Sequence, residues 1–349
     1  MANENGWKIG FIVTLTILLV LLVAVIIFTI IAVVFIERLK TVALGAFYNT
    51  NECKVDPFKC NYINLEVSEP LVFENSFNND LALLGSQLEM NLTFLKKNGD
   101  DLNLPSFLTF ITYIQGCPTC DFPNGFKDTD ITPLGYVALD QNTRTLYMTF
   151  RGAETSQDWQ FAFNFNETYF KQNLFLFPPT LGNSSQVSCS SDTTVHSGFY
   201  ALFNQLREEI IQIVLQNKDK IDRIVVYGHS LGAAIASLTG LYLTIQFSNL
   251  EIFVYTFGKP RVGNEAYSKC VERLLNKRFW RIENEEDIIV SLPLSTMPNF
   301  QNENLPYLYW QEGNRLIYQS NWGSQTLNHN INNYQTNIVR AINNSSFSQ

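Results

Sequence analysis

The spacing of apolar and polar positions divides the chain into a series of short elements. Residues 78–97, "NNDLALLGSQLEMNLTFLKK", repeat their apolar positions with a helical period and predict an amphipathic helix. "SFLTFITYIQGCPTCDFPNG" starts as an apolar run and breaks at Cys, Pro and Gly. "GYVALDQNTRTLYMTFRG" predicts two strands turning at Asp140-Gln141-Asn142. Residues 157–195 are irregular, rich in Phe and Asn, and contain Pro178-Pro179. A long helix is predicted from about Ser197 in "VHSGFYALFNQLREEIIQIVLQN". Ile224-Val225-Val226-Tyr227 reads as a short buried strand, and Leu231 to Gln246, rich in Ala and Leu, as a helix. "EIFVYTFGKPRVGN" is a further buried strand ending in a Gly/Pro turn. "EAYSKCVERLL" is helical, and "RFWRIEN" is a strand. The stretch "QNENLPYLYWQEGNRLIYQ" holds one or two short strands. Strands alternate with helices from about residue 136. The expected fold is therefore α/β, with a mostly parallel central sheet and helices on both faces.

One pattern stands apart. Ile9 to Ile36 is 28 residues without a charge. As a helix it would be about 42 Å long, against a hydrocarbon core of about 30 Å. It is long enough to span a bilayer with tilt, and the expectation is one N-terminal transmembrane helix acting as a signal anchor. The alternative is a cleaved signal peptide, with Ala43-Leu44-Gly45 as the cleavage site. The expected organisation is a short tail (1–8), the membrane helix (9–36), a stalk (37–64) and a folded domain (65–345).

Charge and composition sharpen this. The formal net charge is -8, from 24 basic and 32 acidic side chains, and no basic stripe is present. Nucleic acid is therefore not an expected partner. Lys8 before the apolar run and Arg38 and Lys40 after it leave its orientation nearly balanced. Six cysteines (Cys53, Cys60, Cys117, Cys120, Cys189, Cys270) and glycosylation sequons at Asn91, Asn166, Asn183, Asn343 and Asn344 favour an extracytosolic domain. Cys117 and Cys120 have redox-motif spacing, but nothing around them supports a thioredoxin-like fold. No second pair matches them for zinc. Disulfides are expected, and six cysteines allow about fifteen pairings.

The candidate chemistry lies in "IVVYGHSLGAAIASL", Ile224 to Leu238. A strand, then Gly-x-Ser-x-Gly, then a helix describes a nucleophile elbow, with Ser230 raised on a tight turn. Gly228 and Gly232 supply the small residues that such a turn needs. The elbow would sit at the carboxyl end of a central strand, where α/β sheets place their sites. A serine hydroxyl needs a base, and the base needs an acid. Hydrolases with this elbow carry them in the order Ser, acid, His. The chain has three histidines, His196, His229 and His329, and only His329 follows Ser230. Asp287 in "NEEDIIVSLP" is the single downstream aspartate, with Glu283, Glu285 and Glu286 as substitutes. His229 is expected to point away from the working face, and His196 to be structural.

Several blocks in the same order resemble the fungal-type class 3 lipases. These are "YVALDQNTRTLYMTFRGAETSQDW", "VHSGF", "VYGHSLGAAIA", "FGKPRVGN", "NEEDIIVSLP" and "NHNINNY". The resemblance covers roughly residues 65 to 345. It implies an α/β-hydrolase-like fold and a serine hydrolase that cleaves lipid carboxylic esters, with Ser230, Asp287 and His329 as the triad. It also implies an oxyanion hole formed by the backbone N–H groups of Leu231 and Ala153. The family commonly has Ser or Thr at the second position, so Ala153 lacks a hydroxyl donor and rate is in question. Gln157 to Phe165 falls where the family carries a lid, with Asp158, Trp159 and Phe161 as candidate lid residues. The alternation of Phe161, Phe163 and Phe165 equally suits an aromatic strand. No metal or organic cofactor is implied, and the expected partner is a lipid ester at a membrane or lipid interface. Alternatives on the same triad are a phospholipase, a galactolipase or an acyltransferase. Another alternative is a non-catalytic lipid-binding homologue.

Overall fold

The computed structural model describes residues 77–93, 102–115, 133–171, 188–299, 302 and 305–344. The chain divides into two compact units, Met1–Tyr62 and Ile63–Gln349, and every described residue belongs to the second.

A seven-stranded sheet organises this unit, in the order β1-β2-β3-β6-β7-β8-β11. The first three strands, β1 (Thr109–Ile114), β2 (Gly135–Asp140) and β3 (Thr145–Phe150), are antiparallel neighbours. The next four join in parallel: β6 (Arg223–His229), β7 (Glu251–Phe257), β8 (Phe279–Asn284) and β11 (Asn314–Tyr318). The sheet is thus mixed, with an antiparallel flank.

The central strands are apolar on both faces, and each face has its own cover. Ile224 and Val226 of β6 and Leu146, Met148 and Phe150 of β3 face α3 (Ser197–Asn217), α4 (Leu231–Gln246) and α5 (Glu265–Leu275). Val225, Tyr227 and Tyr147 face the opposite way. There they pack with α1 (Asn79–Thr93) and α7 (Ile331–Asn344). The two helices on this second face also touch each other. Two short ribbons stand apart from the main sheet, β4 (Glu167–Tyr169) with β5 (Thr194–His196) and β9 (Thr296–Met297) with β10 (Tyr307–Leu308). Two short α-helices, α2 (Ser156–Ala162) and α6 (Gln325–His329), and three short 3-10 turns complete the described elements. Cys189 and Cys270 form a disulfide, Cα to Cα 5.4 Å, that fastens the approach to β5 onto α5.

The expectation of a transmembrane helix is corrected here. Among the described residues no helix is long and apolar enough to cross a membrane. Residues 9–36, and the stalk at 37–64, lie outside the described residues. An uncharged apolar run has the length for spanning, but length alone is permissive. The anchor, and the single-pass placement that depended on it, are therefore withdrawn.

Candidate active site

Strand β6 delivers the elbow. Ser230 caps α4 with φ 57° and ψ -122°, a left-handed conformation that a non-glycine residue adopts only under constraint. The constraint is visible. Ser230 N–H donates to Phe257 O on the neighbouring strand at 3.1 Å, while Ala233 N–H returns to Ser230 O at 3.0 Å. The elbow glycines are forced by crowding. A Cβ on Gly228 would overlap the Gly232 carbonyl, and one on Gly232 would overlap the Phe150 carbonyl. Position 232 therefore locks the elbow against the end of β3, where the Phe150-Arg151-Gly152-Ala153 loop begins.

That loop is held by a buried ion pair. Arg151 Nη1 binds Asp158 Oδ2 at 2.7 Å, with both side chains nearly inaccessible. The same carboxylate oxygen accepts the backbone N–H of Glu154 at 2.9 Å and of Thr155 at 3.0 Å. Arg151 also donates from Nε to Pro133 O and from Nη1 to Gly152 O at 2.9 Å. The last bond fixes a peptide plane. With the Gly152 carbonyl turned to Arg151, the trans peptide aims the Ala153 N–H the opposite way. Gly152 lies against the nucleophile, since a Cβ there would stand 3.2 Å from Ser230 Cβ. Leu231 opens α4, where first-turn N–H groups have no intrahelical acceptor and the helix dipole is positive.

Asp287 follows β8, and His329 ends α6. His329 Nδ1 donates to Asp287 Oδ2 at 2.6 Å, and both side chains are buried. A second donor, the Tyr334 hydroxyl, meets the same oxygen at 2.6 Å, and Ile289 N–H donates to Oδ1 at 2.9 Å. Burial pushes the Asp287 carboxyl up. The charge of His329 and the three hydrogen bonds outweigh it and hold the carboxyl below its usual range. With Nδ1 protonated, neutral His329 presents Nε2 as its basic nitrogen. Gly258, at φ 58°, passes close beneath the pair. A Cβ there would come within 3.0 Å of Asp287 Oδ2 and of His329 Nδ1.

The loop bearing His329 is framed by buried asparagines. Asn284 Nδ2 donates to Ser320 O and Asn328 O, and its Oδ1 accepts from Ser320 N–H. Asn328 in turn binds Glu286 O and Trp322 N–H.

His229 departs from expectation. Its side chain is buried, and Nε2 donates to the backbone carbonyl of His329 at 2.7 Å. It does not point away from the site. His196 caps α3 by accepting Phe199 N–H at Nδ1, with its ring stacked on Phe199 at 3.8 Å. Burial pushes each of these two histidines down to about 3.

The candidate lid segment is a helix, α2, rather than the aromatic strand that the alternation also allowed. Thr155 and Asp158 form a capping box at its start. At its far end Tyr309 Oη donates to Phe165 O at 2.6 Å and Ser197 N–H to Asn166 O at 2.7 Å. Trp159 and Phe161 are half-buried against the core, and Phe163 is 47% exposed.

Tyr334, Arg151 and Gly258 went unassigned in the sequence. Tyr334 lies inside the "NHNINNY" block, but only a hydrogen bond across 47 positions reveals its contact with Asp287.

Residues 147–297 match the family model for Lipase (class 3). Over this segment the chain is similar to the class 3 lipases. Among similar proteins, a chloroplastic phospholipase A(1) of Arabidopsis thaliana is 30% identical over 189 residues, covering 49% of this chain and 40% of that protein. A lipase of Rhizomucor miehei is 30% identical over 162 residues, covering 45% and 40%. A secreted mono- and diacylglycerol lipase of Penicillium cyclopium is 29% identical over 178 residues, covering 49% and 51%. The chain thus spans about two fifths to one half of the length of these relatives. A solved structure of the Rhizomucor miehei lipase propeptide complex overlays with a TM-score of 0.49 at 23% identity, covering 69% of this chain and 67% of that one. Two similar proteins, of Gibberella zeae and Penicillium cyclopium, are named as secreted.

Proposed function

We propose that this class 3 lipase relative hydrolyses carboxylic esters of lipids, with Ser230 as nucleophile, His329 as base and Asp287 as the orienting acid. The observation that carries the reading is the 2.6 Å bond from His329 Nδ1 to buried Asp287, in a protein whose elbow serine is held at φ 57°. His329 Nε2 takes the Ser230 proton as Oγ attacks the ester carbonyl. The tetrahedral oxyanion receives the N–H groups of Leu231 and Ala153. His329 then protonates the leaving alcohol, and water repeats the sequence in reverse on the acyl-enzyme. Asp287 keeps His329 in the Nδ1–H tautomer throughout. Ala153 offers a backbone donor alone, and loss of a complete oxyanion donor costs about 3 kcal/mol. Helix α2, with Phe163 exposed at its end, is the candidate cover for an acyl chain.

A second reading concerns the head group. The similarity to a phospholipase A(1) sets an acyl ester of a glycerophospholipid beside a triacylglycerol as substrate. The test is hydrolysis of p-nitrophenyl esters, then of triolein and phosphatidylcholine, by wild-type chain and Ser230→Ala. Activity lost in Ser230→Ala supports the reading, and release of fatty acid from phosphatidylcholine alone selects the phospholipid form. A folded wild-type chain inert to all three, and unlabelled by a fluorophosphonate, overturns it.

A further inference from the structure

We infer that His229 is a positioning residue that sets the distance between nucleophile and base. The inference rests on the proposed roles of Ser230 and His329. His229 immediately precedes Ser230 in the chain, and its Nε2–H is bonded to the backbone carbonyl of His329 at 2.7 Å. One side chain and one hydrogen bond therefore connect the nucleophile's backbone to the base's backbone, across 100 positions of sequence. The His329 ring is bonded to Asp287, which follows β8 rather than β6.

The surroundings hold the ring in place. It lies against the His329 ring with centroids 4.6 Å apart and against the Tyr334 ring at 5.9 Å. On its other side Nδ1 faces Gly152, where a Cβ would come within 3.3 Å. His229 thus touches the oxyanion loop, the nucleophile and the base loop at once. A carbonyl accepts only, so Nε2 must carry the proton and Nδ1 must not. The tautomer is opposite to the one Asp287 imposes on His329. The charged and titratable groups that face the ring are His329, Asp287 and Tyr334. Burial, and next the charge of His329, keep the ring neutral, so that it donates this bond without competing for the Ser230 proton.

The experiment uses the full-length chain and two substitutions. His229→Phe keeps a flat ring and removes the donor. His229→Gln restores a side-chain N–H that reaches the same carbonyl. A misplacement of about 1 Å at a reacting centre costs about 100-fold. His229→Phe is expected to lower kcat on a p-nitrophenyl ester by about that factor with KM little changed, and His229→Gln to regain at least about tenfold of the loss. Nitrogen-15 histidine spectra supply a readout independent of turnover, and the three histidines make assignment by substitution direct. His229 is expected as neutral Nε2–H from pH 5 to pH 8. A His229→Phe enzyme with wild-type kcat overturns the inference, as does a Gln variant no better than Phe or a His229 signal in the Nδ1–H form. A wild-type chain with no esterase activity defeats the proposed function instead, and the spectra then decide the placement of His229 alone.

Discussion

Tyr334 and His329 donate to the same oxygen of Asp287, each at 2.6 Å. One carboxylate oxygen therefore carries two strong donors while Oδ1 takes the Ile289 N–H. The Tyr334 hydroxyl keeps Asp287 ionised and its plane fixed. A hydrogen bond to a charged group contributes about 1.5–3 kcal/mol. Tyr334→Phe is expected to lower kcat about tenfold or more, with KM unchanged and the melting temperature only a few degrees lower. Steady-state kinetics beside a thermal melt checks this, and an unchanged kcat would mean that Asp287 is oriented without Tyr334.

Gly258 supplies a second measure of how closely the acid and base are packed. It sits at φ 58°, which costs an alanine about 1 kcal/mol, and its missing side chain leaves room for both partners. Gly258→Ala should displace His329 and depress turnover by at least about tenfold, which goes beyond the small stability loss. Equal kcat in the two proteins would show that the pair has slack.

Asp158 was expected as a lid residue, and its bonds point to the oxyanion loop. Asp158→Ala leaves the Arg151 guanidinium buried beside a missing partner. Breaking such a pair typically costs about 3–5 kcal/mol. Asp158→Ala should therefore unfold at markedly lower denaturant and hydrolyse more slowly, because Arg151 no longer fixes the Gly152 peptide. Urea denaturation with a kinetic assay decides it. Normal stability would place the ion pair at the surface in solution.

Two of the three buried histidines give the protein a pH signature. His196 and His229 are pushed from 6.5 to about 3 by burial. Between those values the unfolded chain takes up protons that the folded chain refuses. Stability is therefore full above about pH 6.5 and is lost as pH falls, by up to about 1.4 kcal/mol per pH unit for each histidine. Glu154 acts in the opposite sense. Burial raises its carboxyl from 4.5 to about 7, and its contribution is lost as pH rises through that value. Burial raises the Glu89 carboxyl as well, so the two carboxyls oppose the two histidines in this range, and the readout is a difference in melting temperature between wild type and a histidine variant. His196→Asn retains an N-cap without titrating in this range, and should lose less stability than wild type as pH falls from 6.5 to 5.

Much of the architecture was legible because it is local. The β-branched run at Ile224–Val226 and the alanine-rich helix after Leu231 announce themselves by composition, and the two glycines around Ser230 report crowding directly. Order and scarcity pointed to Asp287 and His329, and these side chains meet in the fold. The direction of His229 was not legible, because the residue before an elbow serine can face either way until the opposite loop is known. Tyr334 was hidden for a similar reason, as one of several aromatic residues on a helix packed against the sheet. The alternation of Phe161, Phe163 and Phe165 suited a strand, yet the capping box at Thr155 and Asp158 commits their neighbours to a helix.

The disulfide between Cys189 and Cys270 has a consequence for the order in which this protein comes into being. The two cysteines lie 81 positions apart and enclose Ser230. Synthesis runs from the N-terminus and early segments fold first. The covalent loop around the nucleophile can close before the segment carrying Asp287 and His329 has folded against it. A nascent chain thus carries a locked serine with nothing to take its proton. On the proposed reading, reactivity toward esters is among the last properties the growing polypeptide acquires.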